Sequence, residues 1–88
     1  MLDQQPTSEE ILKTITNARD SVWVINNEIV QTNVTKEIVK TVQRNVSHLQ
    51  IVISKEHVIN FGQDLSDLTS AITAGNTFIE QNQLLLED

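Results

Sequence analysis

Residues 7–30 read Thr-Ser-Glu-Glu-Ile-Leu-Lys-Thr-Ile-Thr-Asn-Ala-Arg-Asp-Ser-Val-Trp-Val-Ile-Asn-Asn-Glu-Ile-Val, and their spacing decides the fold class. Thr7 followed three residues later by Glu10 is a capping box: the hydroxyl accepts from the Glu10 backbone N–H, and the carboxylate accepts from the Thr7 N–H. Glu9 and Glu10 also lie where the helix dipole favours negative charge. Behind this start, Ile11, Ile15, Ala18, Val22, Ile25 and Ile29 recur at steps of four, three, four, three and four. That rhythm places them on one face of a helix. Leu12, Trp23 and Val30 are read as widening the same apolar stripe.

Upstream, residues 1–6 are read as a disordered N-terminus ahead of a single helical domain over residues 7–86, and residues 1–10 are polar and acidic. They lack the basic start and apolar run of a secretory signal. Downstream, Gln31 to Thr35 is the first break, because Thr and Asn are weak in helix interiors and strong as caps. A second helix starts from Thr35 or Asn33 and carries Ile38 or Val39, Val42, Val46, Leu49 and Ile53. It is expected to stop near Asn60, Phe61 and Gly62, where a left-handed residue can end it. Asp64 is the expected cap of a third helix, with Asp67 near its positive end and Leu65, Leu68, Ile72, Gly75 and Ile79 as its stripe, flanked by Ala71 and Phe78. Glycine inside a helix costs about 1 kcal/mol relative to alanine. Gly75 therefore implies a neighbouring helix passing close by, in preference to a break near Ala74.

Three such stripes define an all-α protein, an antiparallel three-helix bundle whose long helices and thin apolar seams could also pair with a second copy as a homodimer. The competing reading is α+β. Ser21–Ile25 and Leu49–Ile53 are rich in β-branched residues and fit two buried strands of a two-stranded sheet. The chain has only two glycines and one proline, and neither run is flanked by the turn residues a strand needs.

Six basic and twelve acidic residues leave a net charge of −6. This disfavours nucleic acid and anionic membrane as partners, since both call for a positive field. No apolar run approaches the roughly 20 residues of a membrane span, and with no cysteine there is neither a disulfide nor a thiolate site. A cytoplasmic location is expected. Basic residues concentrate in the middle of the chain: residues 34–62 hold four basic and two acidic groups, whereas residues 63–88 hold five acidic groups and no basic one.

Catalytic patterns are missing. His48 and His57 are nine residues apart and face opposite sides of an unbroken helix. Asp64 and Asp67 fit helix capping and lack the alternation of a calcium loop. No nucleophile elbow or phosphate-binding glycine pattern occurs. The reading is a non-enzyme with no cofactor, no metal site and no small-molecule ligand. The candidate partner-binding residues are Lys36, Lys40, Arg44 and His48, a basic ridge recurring every four residues, together with the single Trp23, a residue type enriched at interface hot spots. The acidic third helix and tail could offset that ridge within the bundle or across a dimer.

Asn45-Val46-Ser47-His48-Leu49 and the later Ala71-Ile72-Thr73-Ala74-Gly75-Asn76-Thr77-Phe78 resemble uncharacterised small helical proteins of phages and prophages, over residues 44–79. The resemblance implies helices and a viral or mobile-element origin, and it transfers no functional residue. The expected function is a small helical interaction or accessory protein that contacts itself or another protein. The alternative is a nucleic-acid-associated regulator using the basic ridge.

Overall fold

The computed structural model describes residues 6–87. Four α-helices follow one another: α1 Ser8–Glu28, α2 Lys36–Ser54, the short α3 Glu56–Asn60, and α4 Ser66–Gln81. A 3-10 turn over Gln83–Leu86 closes the described chain. The three long helices pack against one another, and no strand occurs among the described residues. The expectation for the N-terminus lies, through residue 5, outside the described residues.

The two-stranded-sheet alternative is thereby corrected. Val22–Ile25 lies within α1 and Leu49–Ile53 within α2. Burial follows the helical period: Leu49 and Val52 are in the core while Gln50 and Ile51 face out. A half-buried strand would have sorted these residues alternately. The uninterrupted 3-4 spacing on both sides of each run outweighs its β-branched composition.

The helix starts follow their cap chemistry. Thr7 and Glu10 form the reciprocal box, at 3.1 Å for the Glu10 N–H to the Thr7 hydroxyl and 2.8 Å for the Thr7 N–H to the carboxylate. Thr35 caps α2 by accepting from the Ile38 N–H at 3.3 Å. The expected cap of the third helix is corrected by one position: the residue at the N-cap of α4 is Leu65, which offers no side-chain acceptor, and Asp64, one residue earlier, accepts instead from the Ser66 N–H at 2.9 Å. Gly62 holds the left-handed conformation, φ 86°.

The second helix stops short of the end expected near Asn60, Phe61 and Gly62. It ends at Ser54, and Lys55 takes an extended ψ of 125° before α3 begins. The reason is Val58. Nine residues beyond Leu49 on an unbroken helix, Val58 would stand half a turn away from it and face water. The break at Lys55 turns it inward, and Val58 is fully buried.

Ile11, Ile15, Ala18 and Ile25 of α1, Val39, Val42, Val46, Leu49 and Val52 of α2, Val58, and Leu68, Ala71 and Phe78 of α4 form the core. Gly75 sits where α4 approaches both other long helices. A Cβ there would overlap Val46 Cγ2 and lie 3.4 Å from Val42 Cγ1 and 3.5 Å from Ile25 Cγ2. The close-passing neighbour read from the sequence is the one observed, and α4 runs through Gly75 unbroken.

Candidate functional site

Arg19 ties α1 to the start of α4. Its Nε donates to the Asp67 carboxylate at 2.8 Å and a terminal nitrogen donates to the Asp64 carbonyl at 3.1 Å. The backbone and hydroxyl hydrogen bonds from Ser66, helped by the nearby Arg19 charge, hold the Asp64 carboxyl below its ordinary value. A carboxyl lowered in the folded state adds stability that is in place above its unfolded pKa of about 3.9 and is lost as pH falls through the lower folded value. Both partners of the ion pair are partly exposed. Arg19→Ala is therefore expected to cost only about 1 kcal/mol, one screened pair plus one hydrogen bond, read as a lowered urea midpoint at pH 7. This contact is structural. The sequence singled out Asp64 and Asp67 but not the arginine that holds them, because the pair spans 48 positions.

The basic ridge is only partly one surface. Each four-residue step on a helix rotates about 40°, so the ridge winds about 120° from Lys36 to His48. Lys40 and Arg44 line an open groove of about 710 Å³ between α2 and α4, and Lys36 and His48 fall outside it. Gln43, Ser47 and Gln50 of α2 and Asn76 of α4 add polar groups, with Val46 and Ile79 as the apolar part. These were missed as a site. The clue was present: Gly75 draws α2 and α4 together, and Asn76 follows it. Arg44 is exposed and donates to the Thr41 hydroxyl at 3.2 Å within its own helix. Neither Lys40 nor Arg44 forms an ion pair among the described residues. Among the described residues, no acidic side chain of α4 or the tail pairs with this part of the ridge.

Trp23 is not a core anchor. It is 67% exposed, and Leu12 and Val30 are exposed with it. The expectation that these three widen the buried stripe is corrected. The two neighbouring helices cover an arc of α1 holding Ile11, Ile15, Ala18, Ser21 and Ile25. Leu12 and Trp23 lie roughly a third of a turn from the centre of that arc. Leu12 and Trp23, eleven residues apart, stand within about 20° of one line along α1, and Val30 lies in the turn just beyond its end.

No group of three or more His, Cys, Asp or Glu side chains among the described residues is arranged to hold a metal ion. No helix among them is long and apolar enough to cross a membrane. The fold and surfaces define the class only as an all-α protein with a polar, partly basic groove and an exposed apolar line. Compared with family models, curated proteins and solved structures, the chain finds no match in any of the three.

Proposed function

We propose that this protein is a small helical interaction or accessory protein, acting by contact rather than chemistry, built as an antiparallel three-helix bundle that pairs with a second copy. A cytoplasmic location and a phage or prophage origin belong to the same reading. The antiparallel arrangement is supported by the short connections between α1 and α2 and between α3 and α4, which favour antiparallel neighbours. It is supported also by Arg19 meeting Asp67 and Ile25 flanking Gly75, numbers that rise together along α1 and α4.

The observation that carries self-association is Trp23, two-thirds exposed on α1, with Leu12 exposed along the same face of that helix. Scattered surface leucines and valines call for no explanation, but a largely exposed tryptophan does, because Trp is the residue type most enriched at interface centres. An isologous pairing of two α1 helices would cover it.

Sedimentation equilibrium tests this. The wild type is expected to dimerise with rising concentration, and the fluorescence of its single Trp to shift to the blue. Trp23→Ala is expected to stay monomeric and to unfold at the midpoint of the dilute, monomeric wild type, since little is buried there in the monomer. A strictly monomeric wild type at several hundred micromolar would refute the reading. The alternative, a nucleic-acid-associated regulator, draws on the exposure of Arg44 and His48. It requires a salt-sensitive gel shift that weakens when Lys36, Lys40 and Arg44 become Ala.

A further inference from the structure

We propose that the α2–α4 groove is the docking site for an acidic helix of a partner protein. The inference rests on reading the protein as one that works by contact, and it names what the second surface contacts. Lys40 and Arg44 stand along one wall with Gln43 and Ser47, Asn76 stands across from them on α4, and Ile79 supplies apolar surface. From Lys40 to Gln50 the groove follows about 15 Å of helix, or three turns. A helix laid there meets two cations able to take carboxylates, amides and a hydroxyl able to take further polar groups, and an apolar strip for one or two aliphatic side chains. This is helix-in-groove recognition with the polar share enlarged.

Charge decides between acidic partners. The chain as a whole carries −6, and two of its six basic residues, Lys40 and Arg44, come together in the groove. Fields at physiological salt decay over about 8 Å. A short acidic helix places its charges within reach of Lys40 and Arg44 and little beyond them. A nucleic acid extends its charge far past the groove, against a net negative protein, and needs stacking platforms as well. The only tryptophan lies on α1 instead. Because neither cation is neutralised by an acidic side chain among the described residues, both are available to a partner's carboxylates.

Fluorescence anisotropy tests the proposal with three labelled probes: a helical peptide carrying glutamates and leucines on one face, the same peptide with lysine for each glutamate, and a duplex DNA. The acidic peptide is expected to bind, at least tenfold more weakly to the K40E/R44E double variant and several-fold more weakly when salt is raised from 50 to 300 mM. Ser47→Glu changes an exposed residue in the same groove and is expected to give a similar loss, and circular dichroism checks that each variant stays folded. Failure of the acidic peptide to bind overturns the proposal, as does binding that the variants leave unchanged. A preference for DNA that the variants abolish overturns it in favour of nucleic acid. Displacement of the peptide as the protein self-associates overturns it in favour of a second copy. Self-association measured without peptide reports on the α1 reading separately, so an intact dimer with no peptide binding removes this inference alone.

Discussion

Gly75→Ala is expected to destabilise the protein by about 1–3 kcal/mol, although alanine is the better helix former. Propensity alone would favour the change by about 1 kcal/mol. The added methyl, however, would overlap Val46 Cγ2 and press on Val42 and Ile25. Val46 is β-branched and within a helix, where one side-chain rotamer dominates, so it cannot swing aside. The helices must separate instead, and overpacking of this kind typically costs 1–3 kcal/mol. A loss of 1 kcal/mol lowers the melting temperature by about 4–8 °C in a domain of this size, so the shift is easily read by thermal denaturation. A double-mutant cycle isolates the cause. Gly75→Ala combined with Val46→Ala is expected to cost less than the two single losses added together. A stabilised Gly75→Ala protein would show that α4 does not pass this close to α2.

Leu49→Ala should produce the larger loss, about 2–5 kcal/mol. Leu49 is fully buried, and truncating it removes apolar contact and leaves a cavity. A domain of this length has on the order of 5–13 kcal/mol of total stability, so the variant is expected to be partly unfolded at moderate temperature. Ile51, two positions along, is 58% exposed, and Ile51→Ala is expected to change stability by less than about 0.5 kcal/mol. Urea titrations of the pair separate helix from strand. In a strand Leu49 and Ile51 share a face, and the two substitutions would cost alike.

What was legible in the sequence was whatever local chemistry controls. The capping box at Thr7 and Glu10 and the Thr35 cap needed only neighbours three residues apart, and both are formed as read. Gly75 was legible too, since a glycine tolerated mid-helix implies a close neighbour. The break at Lys55 was not. No glycine or proline marks the end of the stripe at Ile53, and only the demand to bury Val58, a tertiary requirement, interrupts the helix. The candidate site was half legible for the same reason. Four-residue spacing announced Lys40 and Arg44, but it could not say that the winding ridge carries His48 out of the groove, nor that Asn76 and Ile79 arrive from another helix to complete it. Trp23 looked like core because it neighbours the buried stripe. How wide an arc of α1 is covered depends on how many helices surround it, and the periodicity of one helix does not contain that number.

The extended residue at Lys55 leaves α3 as one and a half turns of helix with no side chain capping its start. A segment so short has no persistence of its own in water, so its shape is borrowed from the single valine that reaches inward. The end of the molecule holding α3 should therefore loosen before the opposite end does, with Val58 as the latch whose release starts local opening.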